Sequence, residues 1–191
     1  MQPTMLFRED QTFRSPFLWI PLFGVTAFCC GTVVWMISRQ VIQDIPFGDD
    51  AMSNMQMVGL GGIVIAMNLA LLLFVASLKL QVEVTTQGLF IRFLPLQRKT
   101  RQIDFSDVTG VNSVVYRPAM EYGGWGIRYG RNGQAYNARG NLGVRIDYSN
   151  GYHLLVGSCH PDELKEALDA MMVAQGIECV PPPEVSKEDS E

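Results

Sequence analysis

The sequence predicts an α+β membrane protein: an N-terminal two-helix transmembrane hairpin, then a roll of about seven short antiparallel strands closed by a C-terminal helix. Three observations predict it. Two long stretches, "PFLWIPLFGVTAFCCGTVVWMIS" (16–38) and "MVGLGGIVIAMNLALLLFVASL" (57–78), carry no charged residue. From Leu80 onward, apolar residues recur at every second position. Past Pro161 the apolar spacing becomes helical.

Of the 191 residues, 48% are hydrophobic, and the two uncharged stretches concentrate them. A spanning helix needs about 20 apolar residues, at roughly 1.5 Å each across a hydrocarbon core of roughly 30 Å. Both stretches meet that length. A buried helix of a small soluble domain keeps a polar face, and neither stretch has one. No small-x-small motif follows the first stretch, so it reads as a span and not as a cleaved leader.

Residues 1–15 mix Phe7 and Phe13 with alternating charge, with Phe17 just beyond. They read as an arm lying along the membrane surface. Arg8 and Arg14 precede the first span, and Lys79, Arg92, Arg98, Lys99 and Arg101 follow the second. The connecting loop has Arg39 at its edge and then Asp44, Asp49 and Asp50. The positive-inside rule places both termini in the cytoplasm, the short acidic loop outside, and residues 16–79 across the membrane as a multi-pass hairpin. Trp19 and Trp35, towards opposite ends of the first span, suit interfacial anchors.

Helices in lipid associate by close packing, so small residues mark their contact faces. Ala27 and Gly31 are four apart in the first span, and Gly62, Ala66 and Ala70 form a stripe in the second. These sets are expected to face each other or a partner subunit. Asn68 is the one strongly polar residue deep in the second span, and its amide is expected to bond another helix.

The cytoplasmic domain, residues 80–176, begins with a strand in which Leu80, Val82 and Val84 alternate with polar residues. "TTQG" is a turn, and "LFIRF" is a second strand that Pro95 ends. "RKTRQI" reads as a polar third strand, "DFSDVTG" as a short turn or a single helical turn, and "VNSVVYR" as a fourth strand. "GWGIRYG" and "QAYNA" form a hairpin about "RNG". "GVRIDYSNGYHLLVG" forms another, with Asn150-Gly151 supplying the positive φ angles of a tight turn. Pro161 suits a first helical position, and Asp162 and Glu163 complement the helix dipole there. Leu164, Ala167, Leu168, Met171 and Met172 share one face, and Gly176 is a stop signal. Residues 177–191 read as a disordered tail.

This order of elements resembles bacterial two-span proteins carrying a pleckstrin-homology-like domain, uncharacterised members included. The likeness covers Leu80 to Gln175 and lies mostly in "LQVEVTTQGLFIRFLPLQRKTRQIDFSDVTGV", with "EYGGWGIR" and "NARGNLGVRIDYSNG". It implies a β-roll capped by a helix, the bacterial inner membrane, and no catalytic residues. Some eukaryotic members bind phosphoinositides through basic residues of the first hairpin. Here that turn, "TTQG", has no lysine or arginine.

One stretch stands out for function. "EYGGWGIRYGRNGQAYNARG" sets aromatic residues among glycines and adds arginines. On one reading the glycines permit a bend, and Trp125 packs into the roll. On the other, Arg128, Arg131 and Arg139 project beside Tyr122, Trp125 and Tyr136 to meet anionic lipid or an acidic protein segment. The remaining residues assemble no enzyme. His153 and His160 have no nucleophile and carboxylate at catalytic spacing. Cys159 beside His160 lies in a strand-to-helix turn, where neighbours point apart. The glycines do not open a helix after a strand, as a nucleotide loop requires. Cys29, Cys30, Cys159 and Cys179 have no zinc spacing, and a net charge of −4 lacks the excess a nucleic-acid binder needs.

The expectation is therefore a non-enzymatic, membrane-anchored binding or scaffolding module that takes no cofactor or metal. Its expected partners are membrane lipid and a membrane protein or a second copy. The alternative is an accessory subunit assembled through the helices.

Overall fold

The structure is a computed structural model that describes residues 4–45, 52–97, 99–130 and 133–177. The chain divides into two units. One is Phe13–Ser77. The other combines the residues up to Thr12 with those from Leu78 onward.

The first unit is helical. α1 runs over Pro16–Ile37 and continues as a π-helical turn, Ser38–Ile42. α2 runs over Asn54–Ser77. Both are long and apolar enough to cross a membrane. Ser53 and Gln56 start α2 with a reciprocal capping box: Gln56 N donates to Ser53 Oγ at 3.3 Å, and Ser53 N donates to Gln56 Oε1 at 3.1 Å. Gln40 is buried, and its amide donates to Asn54 Oδ1 at 3.1 Å and to the Met52 carbonyl. The helices touch at Gly61, where an added Cβ would lie 2.7 Å from Val33 Cγ1 and 3.1 Å from Ile37 Cδ1.

The second unit holds two sheets and a helix. Its strands are β1 (Met5–Thr12), β2 (Lys79–Thr85), β3 (Gly88–Leu94), β4 (Arg101–Ile103), β5 (Val108–Val115), β6 (Gly126–Gly130), β7 (Gly133–Asn137), β8 (Leu142–Tyr148) and β9 (His153–Gly157). The single helical turn α3 (Pro118–Glu121) precedes β6, and α4 (Pro161–Gln175) follows β9. One sheet has the order β1-β2-β3-β4 and the other β5-β8-β9-β7-β6. All pairings are antiparallel except β7 with β9, which is parallel. The long alternating stretches form these strands because every second side chain can enter a shared core. Leu80, Val82, Val84, Leu89, Ile91 and Phe93 supply it from the first sheet; Val144, Ile146, Leu154 and Val156 supply it from the second.

α4 packs against β1 and β2 of one sheet and against β5 and β8 of the other. All five residues expected on its apolar face are buried, and Gly176 ends it in the left-handed conformation at φ 68°. Fully burying each such leucine or methionine contributes roughly 1.5–3 kcal/mol.

Several expectations need correction. Within the stretch read as a surface-lying arm, Met5–Thr12 is instead an edge strand that pairs with β2 from Thr12↔Lys79 to Met5↔Thr85. Its inward Gln11 is fully buried, with Nε2 donating to Gly157 O at 2.6 Å. Among the described residues the strands number nine, not about seven, partly because β1 joins the sheet. β4 begins only at Arg101, and β5 begins at Val108, inside the stretch read as a turn. In the last hairpin turn only Gly151 takes a positive φ, 77°, and Asn150 does not, and the returning strand begins at His153. The tail read as disordered, 177–191, lies outside the described residues apart from Ile177.

Candidate binding surface

The glycine-rich stretch is built as a reversal of the chain. Tyr116 enters it from β5, and Pro118 opens α3 at a position where its missing N–H costs nothing. The Glu121 carboxylate accepts the Arg117 N–H at 2.7 Å, and the Gly124 N–H donates to Pro118 O at 2.8 Å. Gly123, Gly124 and Gly126 then take φ values of 70°, 118° and 117°, a run that side-chain-bearing residues rarely adopt. These turns deliver the chain into β6.

Tyr122 is tied down by this reversal. Its hydroxyl lies 3.0 Å from His153 Nε2, and its ring meets Tyr116 edge-on at 6.1 Å between centroids. Tyr116 is buried with Ala135 and Leu155, and Val114 and Tyr122 pack against that cluster. Burial pushes the Tyr116 phenol up to about 12 and raises that of Tyr122 as well. Burial, with Arg145 second, holds the His153 imidazole below its ordinary value. His153 is therefore half-buried and partnered.

Trp125 does not enter the roll. It is half-buried, and its indole N–H donates to Gly140 O at 3.0 Å, across the hairpin. Gly126 N donates to Asn137 Oδ1 at 2.8 Å, fastening the start of β6 to the end of β7. Arg128 is exposed, and its Nε donates to Trp125 O at 3.1 Å. Arg139 is exposed, with Nε 3.1 Å from Cys159 Sγ. Burial raises the Cys159 thiol despite that arginine, which is the opposite of what a thiolate nucleophile needs.

Tyr136 is not a surface residue, as a binding role would require. It is fully buried, and its hydroxyl accepts from Arg101 at 2.8 Å and from Gln134 Nε2 at 3.1 Å. β7 lies between β9 and β6 with all five residues buried, so neither of its faces reaches solvent. Arg131 lies outside the described residues. Of the expected set, the structure brings Tyr122, Trp125 and Arg128 together around α3 and β6, with Arg139 across the hairpin beside Cys159.

One residue outside the expected set belongs with them. Tyr129 follows Arg128 on β6 and is 74% exposed. Among the described residues β6 pairs on one side only, with β7. By the alternation of an antiparallel ladder, the backbone groups of every second β6 residue point away from β7 and are open to another strand. The sequence signal for Tyr129 was its place in "GIRYG", two residues from Ile127, but nothing local says which strands end up at an edge.

In the helical unit, Ala27, Gly31, Gly62, Ala66 and Ala70 are all exposed. A Cβ at Gly31 or Gly62 would meet nothing within 4 Å. These residues therefore do not pack the two helices against each other; Gly61 does. Asn68 bonds its own helix and not another one, with Nδ2 donating to Val64 O at 2.9 Å. Among the described residues no three His, Cys, Asp or Glu side chains gather as a metal site would need.

Comparison with family models, with curated proteins and with solved structures finds no match to the chain.

Proposed function

We propose that the protein is a non-enzymatic, membrane-anchored binding module of the bacterial inner membrane, with both termini cytoplasmic and a pleckstrin-homology-like domain that takes up an extended protein segment along β6. The observation that carries this reading is the one-sided pairing of β6. Natural sheets blunt such edges with lysine, proline or very short strands. β6 runs over five residues with neither lysine nor proline, and it displays Tyr129 beside Arg128. An added strand would gain main-chain hydrogen bonds, and Arg128 would favour acidic side chains on it.

A photoreactive residue replacing Tyr129 in the full-length chain, activated in intact membranes, tests the reading. A discrete crosslinked protein, lost in Arg128→Glu, is expected. Crosslinks to lipid alone, or none at all, sink it.

A second reading, an accessory subunit assembled through its helices, draws on the outward Gly62, Ala66 and Ala70 stripe. That reading requires Gly62→Leu to abolish the association while Arg128→Glu leaves it intact.

A further inference from the structure

Both connections to the helical unit leave from the same end of the first sheet. Thr12, the last residue of β1, is the Cα partner of Lys79, the first residue of β2. Thr12 is separated from α1 by residues 13–15, and Lys79 from α2 by Leu78 alone. At roughly 3.5 Å per extended residue, those links are short whatever the orientation of either unit. Lys79 is also the Cα partner of Leu94, the last residue of β3. The loop from β3 to β4 therefore starts at that same end.

This loop has an unusual surface. Gln97 N donates to Phe93 O at 2.6 Å and closes a turn that holds Leu96 outward, 60% exposed. An open concavity beside it is lined by Pro95, Leu96, Gln97, Lys99, Thr100 and Arg101, with no acidic side chain among them. Lys99 is exposed. Arg101 is held in place by Gln134 Oε1 at 2.9 Å and by the Tyr136 hydroxyl. Lys79 pairs with Asp10 at 2.8 Å, so it adds little net charge. An outward leucine beside Lys99 and Arg101 is the chemistry of an interfacial contact: the apolar side chain enters the acyl boundary, while the cations meet phosphate groups.

We propose that Leu96 and Lys99, in the connection from β3 to β4, dock onto the anionic headgroup surface of the bilayer that holds the helices. The proposal rests on the membrane-anchored reading above and adds to it a second, reversible contact between domain and lipid. A soluble phosphate could satisfy the cations, but it leaves Leu96 in water, so the bilayer is the source the surface fits.

The test uses the full-length chain with its native cysteines replaced and one polarity-sensitive fluorophore at Leu96→Cys. The protein is placed in nanodiscs of phosphatidylcholine, with or without phosphatidylglycerol, that carry a quencher lipid. Gln87→Cys, in the turn at the opposite end of the first sheet, is the control for the domain, and Leu69→Cys, in α2, is the control for the span.

The expected result is a blue shift and severalfold stronger quenching at position 96 than at 87 in the anionic discs, reversed by Lys99→Glu or high salt. Equal signals at 96 and 87 overturn the docking while leaving the anchor intact. Equal quenching at 96 with and without phosphatidylglycerol overturns the anionic part. The same blue shift produced by inorganic phosphate in neutral discs assigns the loop to a soluble anion and overturns the bilayer contact. An unquenched probe at 69 overturns the membrane reading itself, and the docking falls with it.

Discussion

The carboxylate of Glu9 accepts the backbone N–H of Cys159 at 2.9 Å, across 150 residues of chain. Its other oxygen accepts the Ser158 hydroxyl, which in turn accepts the His160 N–H at 3.0 Å. Ser158 is buried. A single acidic side chain on β1 thus organises the turn between β9 and α4. Glu9→Ala should destabilise the domain by about 1–3 kcal/mol, because it strands a buried hydroxyl and a backbone donor. Chemical unfolding of the detergent-solubilised protein measures this, and Glu9→Gln should fall between the two. A wild-type midpoint in Glu9→Ala would mean that the turn holds without it.

Gly61 and Gly62 are neighbours with opposite surroundings. Gly61→Leu drives new atoms into Val33 and Ile37 and should separate α1 from α2, lowering the melting temperature in detergent. Gly62→Leu meets nothing in this chain and should leave that melting temperature unchanged. Equal losses in both variants would contradict the helix contact described here.

His153 makes stability depend on pH. Its folded-state pKa lies below the ordinary 6.5, chiefly through burial and then through Arg145. The unfolded chain therefore takes up its proton at a higher pH than the native one. The stability that neutral His153 contributes is complete above 6.5 and is lost as pH falls through the lowered native value. Melting temperature should fall more steeply with acidification in wild type than in His153→Gln. Parallel curves would show that the native imidazole titrates normally.

The parts that were legible in the sequence are those whose signal is local. The uncharged stretches marked α1 and α2 to within a few residues. Period-two alternation marked β2, β3 and β8, and the α4 face needed only its own 3.6-residue spacing. β1 was hidden for a physical reason. Its inward positions include Glu9 and Gln11, which are held by hydrogen bonds to residues 157–159 and not by burial of apolar surface. No hydrophobic period therefore shows, and the partners lie at the far end of the chain. Tyr136 misled in the converse way. An aromatic residue among glycines and arginines reads as surface, but β7 is enclosed on both faces. Its hydroxyl finds Arg101 and Gln134, contacts that no short window of sequence could reveal. The outward set of the glycine-rich stretch was only half legible, because the edge position of β6 follows from the strand order of the whole sheet.

The pairing of β1 with β2 also imposes a schedule on biosynthesis. Met5–Thr12 leaves the ribosome before Lys79–Thr85 and cannot pair with it until both apolar helices have been made. The sheet therefore closes only once both helices have been made, and the loop to be closed is the helical unit itself. The helical unit, Phe13–Ser77, is an insertion within the domain, not a handle fused to its end. A soluble version begun at Leu78 would bare the edge of β2 and leave Ser158 and the Cys159 N–H without their carboxylate. Since Thr12 and Lys79 are already cross-strand partners, a tight turn joining them directly should free the domain from the helical unit with its sheet intact.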